Sequence, residues 1–363
     1  MQVATVAHPL KRIGLLVFSL ALSLACIVLC PPLATPMAFL LPVAVCPAWF
    51  SHGLWYSMLL SIIPCTGALL TGSDLPLSLL LLPCPYLCLL ATQISSRRKL
   101  PFLWVAGILS GIVMLTQTFW MGRVMQLLGG DLFTELAKQT VTYLSELPNS
   151  GNLLYSLVQV GFLKIPAQFE HAIGFPIGGL IILNPALRWE LLNALRFRLY
   201  DLLKAAIPSL LIQSSLITGL FTALRSAREI GRRSAPVELE PAHKTVPTGQ
   251  VPYPLFRTLR LPHADRRYVA FLALVALGLG LVDGEIPALM SSLMMAAFAT
   301  ICRLMGASTL VFFLCRRHPA RSLFAGLLTG AVYLLFPTLL LILGMADQFM
   351  DLRNATFHHH EGD

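Results

Sequence analysis

Long apolar runs, each bounded by charged residues, Pro or Gly, recur along most of the chain. They occupy residues 13–29, 33–47, 48–71, 75–94, 101–122, 206–224, 268–284, 286–315 and 322–346. In lipid, backbone polar groups are satisfied only inside helices or closed barrels, and barrel strands alternate apolar with polar residues. Because these runs do not alternate, they predict an all-α, polytopic transmembrane helix bundle of about eight or nine spans. Pro36 and Pro42 interrupt the second run, which is either a crossing or a bent, re-entrant piece.

The middle of the chain follows a different pattern. Residues 131–147 repeat apolar positions at spacings of three and four, with acids and Lys138 opposite, and residues 188–205 do the same. These periods predict amphipathic helices at the membrane interface or against the bundle. The apolar segment 171–187 between them is broken by one Pro and a Gly pair. The basic clusters at 97–99 and 225–267 are expected on the same side of the membrane, so the section between them needs an even number of crossings. The runs 101–122 and 206–224 supply two, and this segment is therefore predicted not to cross alone.

These patterns divide the chain into six regions. They are an N-terminal transmembrane bundle (1–124), an amphipathic, interfacial region with the broken apolar segment (125–205), a single span (206–224), a basic Pro-rich cytoplasmic loop (225–267), a C-terminal transmembrane bundle (268–353) and a polar tail (354–363). Residues 234–254 contain five Pro residues, too many for a helix, so an extended linker is expected there.

Composition and charge agree with a membrane protein. Hydrophobic residues make up 56% of the 363 residues and charged residues 12%, whereas a soluble domain is about a quarter charged. The net charge of +9 comes from basic clusters at 11–12, 97–99, 225–267 and 316–321. Such clusters favour the cytoplasmic side, so we expect a multi-pass protein of the bacterial inner membrane with a cytoplasmic N-terminus. Nucleic acid is not an expected partner, because no aromatic–basic motif accompanies the charges.

Catalytic motifs are absent from the sequence: it has no P-loop, no GxSxG and no HExxH. We therefore predict a protein that is not an enzyme and needs no cofactor. Ionisable residues near spans are the remaining candidates for ligand binding. Glu170 and His171 form either a proton relay or an interfacial pair.

Arg303 is the third candidate, because it lies inside a run of about thirty apolar residues. Either the helix breaks near Gly306, or the guanidinium is buried beside a carboxylate such as Asp283 or Asp347.

No metal site is predicted. All eight Cys lie almost wholly within apolar runs, where they act as small hydrophobic residues. Cys26/Cys30 and Cys84/Cys88 are each one helical turn apart, but neither pair has a third ligand nearby in the sequence. The terminal 358–360 His run belongs to the polar tail.

Small residues spaced by four allow helices to approach closely, within the chain or with other membrane proteins. Gly107/Gly111 and Gly326/Gly330 have this spacing.

The C-terminal end carries a motif. Leu343-Gly344 is followed by Asp347, Asp351 and Arg353. This pattern resembles the LGxxDxxxDxR ending of the YybS-type bacterial membrane proteins, a family of unknown function. That family is similar to the substrate-binding S components of energy-coupling-factor transporters and to the scaffold protein MreD.

The resemblance implies two functions: a non-enzymatic, transport-type membrane subunit that binds a small molecule, or a membrane scaffold of the MreD type. Within the motif, Asp347 and Asp351 share one face of a helix whereas Arg353 is expected to point elsewhere. We interpret Gly344 and these three residues as a structural cap, with Arg303 or a loop arginine as the neutralising cation.

Topology gives the first testable prediction. The 225–267 loop and the Arg97–Lys99 turn should both face the cytoplasm, because Lys and Arg are retained on that side. Cysteines introduced at Ser234 and Ser96 should resist an impermeant thiol reagent added to the periplasmic side of intact cells. Labelling of either position from that side would contradict the orientation.

Overall fold

A computed structural model of the chain describes residues 40–53, 57–58, 83–128, 131–147, 149–169, 175–177, 180–234, 256, 259, 261, 263–316, 322–350 and 352–353. These residues form ten α-helices and a small antiparallel hairpin. The helices are α1 (Leu41–His52), α2 (Pro83–Arg97), α3 (Phe102–Leu128), α4 (Leu132–Glu146), α5 (Ser150–Gln159), α6 (Pro185–Ser234), α7 (His263–Gly280), α8 (Glu285–Arg316), α9 (Ser322–Leu335) and α10 (Pro337–Met350). The hairpin pairs β1 (Phe175–Ile177) with β2 (Leu180–Ile182). The predicted all-α class is confirmed, with this hairpin as an addition inside the broken segment.

Three helices in the described part of the chain are long and apolar enough to cross a membrane. They lie at Phe102–Leu127 in α3, Pro185–Ile230 in α6 and Ile286–Cys315 in α8. The bent pair α9–α10 adds a fourth only if its two halves count as one span. These helices support a membrane protein, but not the predicted number of spans. The predicted span 13–29 and most of 48–71 lie outside the described residues.

Several predicted boundaries fall inside continuous helices. Helix α1 runs through the boundary expected between residues 47 and 48, with Pro47 inside it. Helix α6 joins the amphipathic segment 188–205 to the apolar segment after it, with Pro208 inside. No helix-ending residue separates those two patterns, so the helix continues. It also extends to Ser234, which shortens the loop that was predicted to begin at residue 225.

The chain divides into two compact units. One contains residues 1–120 and 211–363, and the other contains residues 121–210. In the first unit, α8 packs against α7, α9 and α10, and α1 packs against α2. Its buried core is apolar and includes Cys46, Cys88, Leu109, Leu220 and Met305.

The packing of α8 on α10 centres on two glycines. A β-carbon at Gly306 would overlap the backbone of Leu340 and Gly344, and one at Gly344 would overlap the backbone of Cys302 and Gly306. The helices therefore meet backbone to backbone, which only Gly permits. By contrast, no described atom lies within 4 Å of a β-carbon built at Gly107, Gly111, Gly326 or Gly330. The two glycine motifs singled out from the sequence are thus not the ones used between described helices.

The predicted span 322–346 is not one straight helix. Helices α9 and α10 are bent by 111° at the break between Leu335 and Pro337. Proline lacks a backbone N–H and disfavours helical geometry at the residue before it, so the break falls at Phe336. Helices α8 and α10 run parallel, since Gly344 contacts Gly306 and Asp347 contacts Thr309. The two ends of the α9–α10 pair consequently lie near the Arg316 end of α8.

The second unit contains the predicted amphipathic helix 131–147, observed as α4. Asp131 caps its first turn by accepting from the Phe133 amide at 3.2 Å. Leu154, Leu187 and Leu191 belong to the apolar core of this unit. Arg188 donates to the Ser145 carbonyl at 2.5 Å, which ties α6 to α4.

The glycine contact gives the second prediction. Gly344→Leu should destabilise the protein by about 3 kcal/mol or more, because the side chain has no room to move into. Gly326→Leu is the matched control, and its melting temperature should be unchanged or higher, since Gly is a poor helix former. Melting of both purified variants in detergent measures the difference. Equal melting temperatures would contradict the backbone contact.

Candidate functional site

A buried polar cluster joins α8 to the end of α10. We call Ser308, Thr309, Asp347 and Arg353 the C-terminal polar cluster. Arg353 Nε lies 3.0 Å from Asp347 Oδ2, and both side chains are 1% exposed. Thr309 Oγ1 lies 3.0 Å from the same oxygen. Arg353 Nη2 donates to Thr309 Oγ1 at 2.8 Å and to Ser308 Oγ at 3.2 Å. Charge and hydrogen bonds therefore hold both helices and the final turn together.

Contacts from the preceding segment enclose this cluster. Ser308 Oγ lies 2.6 Å from the Phe256 carbonyl and 3.2 Å from that of Leu259. The Arg353 guanidinium also lies over the Phe312 ring, 5.6 Å from its centroid. Removing both charges from water costs several kcal/mol each, which such contacts offset when they are nearly complete. The arrangement holds the end of α10 against α8. The hydroxyls of Ser308 and Thr309 already have hydrogen-bond partners within the protein.

Arg266 supports the same end of α10 from outside the cluster. Its Nη1 donates to the Gln348 carbonyl at 2.7 Å, and its Nε donates to the Leu261 carbonyl at 3.2 Å. A cation at a helix C-terminus satisfies free carbonyls and complements the helix dipole. The start of α7 is thereby attached to the last turn of α10.

A second group of polar side chains lies where α8 meets α9. We call Arg303, Thr329 and Tyr333 the hairpin polar patch. Thr329 and Tyr333 are one turn apart on α9, and Thr329 is 5% exposed. Arg303 lies on α8, which packs against α9. Within the described part of the chain, Arg303 Nε, Thr329 Oγ1 and Tyr333 Oη are buried without a hydrogen-bond partner. In the C-terminal polar cluster Asp347 Oδ1 is in the same state, whereas Asp347 Oδ2 is paired with Arg353 and Thr309.

The predicted role of Arg303 is corrected in two respects. Helix α8 continues through Gly306 without a break. Arg303 also does not neutralise Asp347, because Arg353 occupies that carboxylate, and Asp283 is exposed. The expectation that Arg353 points away from Asp347 is therefore wrong. Leu352 and Arg353 are helical, and the long Arg353 side chain places its Nε 3.0 Å from Asp347 Oδ2.

Other predicted residues stay untested. Glu170, His171 and Asp351 lie outside the described residues. Ser308 and Thr309 were missed by sequence reasoning, since hydroxyl residues are common in membrane helices. Their one sequence signal is adjacency to Gly306, which marks a close helix contact.

Thiols and carboxylates do not gather into a metal site within the part of the chain described here. Cys46, Cys84 and Cys88 are buried in the shared apolar core of α1 and α2. Cys46 Sγ lies 3.6 Å from the Pro85 carbonyl. Packing accounts for their burial.

Two shallow recesses lie on the described surfaces. One, of about 240 Å³, is lined mainly by apolar residues of α1 and α6, with Arg225 at its edge. The other, of about 290 Å³, contains Thr134, Arg196 and Tyr200 in the second unit. Both are open to the outside and bring no reactive groups together.

No protein-family model, no curated protein and no solved structure matches this chain. The inference of function accordingly depends on the geometry of the chain itself.

The C-terminal polar cluster gives the third prediction. Asp347→Asn should destabilise the protein by about 3–5 kcal/mol, because it leaves the Arg353 charge buried without a counter-charge. The amount of folded protein in the membrane should fall more than any activity per molecule. Melting of the purified protein and quantification in membranes measure both effects.

Two further variants control this test. Asp347→Leu combined with Arg353→Leu should recover part of the loss, because no unpaired charge remains. Glu135→Gln breaks an exposed pair with Lys138, 3.8 Å apart, and should change stability by less than about 1 kcal/mol. Normal abundance and melting of Asp347→Asn, together with lost function, would instead identify the cluster as a working site.

Proposed function

We propose that this chain is a non-enzymatic integral membrane protein of the bacterial inner membrane that binds a small molecule, as a transport-type subunit of the S-component kind. The observation that carries the proposal is the hairpin polar patch. Its three side chains, on α8 and α9, bury polar atoms that have no hydrogen-bond partner in the described part of the chain. The likeness of the terminal motif to YybS-type proteins supports the same class.

The physical argument starts from the cost of an unpaired polar group. A buried donor or acceptor without a hydrogen bond costs about 1–3 kcal/mol, and a charge costs more. Native proteins therefore retain few such groups, and each calls for an explanation such as a function or a bound molecule. In a membrane helix the default explanation is a substrate or ion path. Three such groups at one helix interface are better explained by a bound molecule than by packing.

The bent pair α9–α10 fits this proposal. Helices that stop within the membrane occur in transporters, where they border a binding site. Thr329 and Tyr333 belong to the first half of such a pair. In the full proposal the chain has eight or nine crossings, with basic loops on the cytoplasmic side.

A membrane scaffold of the MreD type is the second candidate. The observation that favours it is the open space beside Gly107, Gly111, Gly326 and Gly330. Since no described helix covers these faces, they would accept helices of other membrane proteins, as small residues commonly do. In this alternative the basic loop would bind a cytoplasmic partner.

Native purification followed by mass spectrometry tests both candidates. Wild-type protein should release a small molecule upon denaturation, and Thr329→Val combined with Tyr333→Phe should reduce its amount at least several-fold. Tyr143→Phe is the control, because Tyr143 is 65% exposed. The binding proposal fails if no small molecule is released. A co-purified membrane protein that is lost from Gly107→Leu and Gly326→Leu would favour the scaffold.

A further inference from the structure

The recess of about 240 Å³ between α1 and α6 has apolar walls and a basic edge. We propose that it binds an anionic phospholipid, with an acyl chain against the walls and the headgroup phosphate at Arg225. None of the residues that line it belongs to the hairpin polar patch. The inference therefore does not depend on the proposed binding function.

The recess is formed by one face of each helix. Residues three, four and seven apart lie on the same face of a helix. Thr218, Phe221 and Arg225 have these spacings along α6, and all three line the recess. On α1, Val43 and Ala44 line it. Two packed helix faces thus bring an arginine, a hydroxyl and apolar side chains to one hollow.

The walls belong to segments predicted to lie in the membrane. Phe221 is part of the apolar stretch 206–224, and its ring stacks on that of Phe256 with 5.5 Å between the centroids. Val43 lies in the short apolar helix Leu41–Phe50. Water is held poorly by apolar hollows, and the molecules that a bilayer presents to such a surface are acyl chains. The walls therefore favour an apolar occupant, which a free phosphate ion is not.

The charge lies at the expected edge of the membrane. Arg225 is exposed and is the first charged residue after the apolar stretch 206–224. Arg228 follows one turn later. The ion pairs of the described residues do not include Arg225. Basic groups at the cytoplasmic ends of membrane helices attract anionic lipid headgroups, and a phosphate is the group that an arginine binds best. Charge complementarity thus favours an anionic lipid over a neutral one.

One polar group remains within the walls. Thr218 is 0% exposed, and its Oγ1 has no hydrogen-bond partner in the described part of the chain. It lies seven residues before Arg225, or about 10 Å of helix toward the membrane interior. A phospholipid carries ester carbonyls on the same side of its phosphate, and these accept hydrogen bonds. A bound phospholipid would supply an acceptor that a plain hydrocarbon chain lacks.

The test uses the full chain purified in a maltoside detergent and depleted of lipid. The probes are phosphatidylglycerol and phosphatidylcholine with identical acyl chains, and inorganic phosphate. Phosphatidylglycerol should raise the melting temperature of wild-type protein in a concentration-dependent way, and more than phosphatidylcholine does. Inorganic phosphate should have no such effect, because it offers nothing to the apolar walls. Native mass spectrometry of the same samples should detect bound phosphatidylglycerol.

Three variants test the three parts of the recess. Arg225→Gln should weaken the apparent affinity for phosphatidylglycerol about tenfold, because it removes the charged donor. Thr218→Val keeps the size of the side chain but removes the hydroxyl, and should weaken the binding of both lipids about threefold. Ala44→Leu puts a larger side chain into the recess and should abolish the response to lipid.

Melting without lipid separates binding from folding. Ala44 and Arg225 are exposed, and Ala and Leu are both good helix formers, so their variants should melt as wild type does. Thr218→Val loses an unpartnered hydroxyl and should melt at the same temperature or higher. The matched control is Arg98→Gln, which changes an exposed arginine of another basic cluster predicted on the same side. This variant should respond to lipid as wild type does.

The inference is overturned if phosphatidylglycerol stabilises wild type no more than phosphatidylcholine, or if inorganic phosphate acts as well as the lipid. It also fails if Arg225→Gln and Ala44→Leu respond as wild type does. A lower melting temperature of Ala44→Leu without lipid would indicate that another segment of this chain fills the recess. A dimer that this variant disrupts would indicate a second copy there. Either occupant would replace the lipid.

Discussion

The backbone contact between α8 and α10 is the constraint on which the described C-terminal region depends. Gly306 and Gly344 let the two helices touch without intervening side chains. Thr309 and Asp347 each lie three residues after their glycine, and residues three apart share a helix face. The close crossing therefore brings the Asp347 carboxylate to within 3.0 Å of the Thr309 hydroxyl. A larger residue at either glycine would separate the helices and leave that carboxylate buried without its partners.

The direction of α10 follows from the same contact. To lie parallel to α8, α10 must reverse the direction of α9, and the 111° bend before Pro337 provides this turn. Each half has 14 residues, or about 21 Å of helix, shorter than the roughly 30 Å hydrocarbon layer. Both ends of the pair lie near the end of α8. This geometry fits a re-entrant pair better than a single broken crossing.

Sequence patterns predicted the presence of helices well, but they predicted the residues at which helices begin and end less well. The all-α class and helix α4 followed from apolar runs, spacing and the capping residue Asp131. The continuity of α6 through Pro208 did not, because a change from amphipathic to apolar character is not itself a break. The Asp347–Arg353 pair was also missed. Six residues along an ideal helix put two side chains on different faces, so spacing alone does not predict that the long Arg353 side chain places its Nε 3.0 Å from Asp347 Oδ2.

Two arginines on or beside α8 differ in their surroundings. Arg353 has a carboxylate, hydroxyls and a ring around it, and these contacts explain how the end of α10 is held. Arg303 Nε on α8 and the Thr329 and Tyr333 hydroxyls on α9 are buried without a hydrogen-bond partner in the described part of the chain. A low dielectric strengthens a satisfied polar network and penalises an incomplete one. The C-terminal polar cluster accordingly accounts for how α10 is held against α8, whereas the hairpin polar patch keeps buried polar atoms that the described part of the chain does not pair.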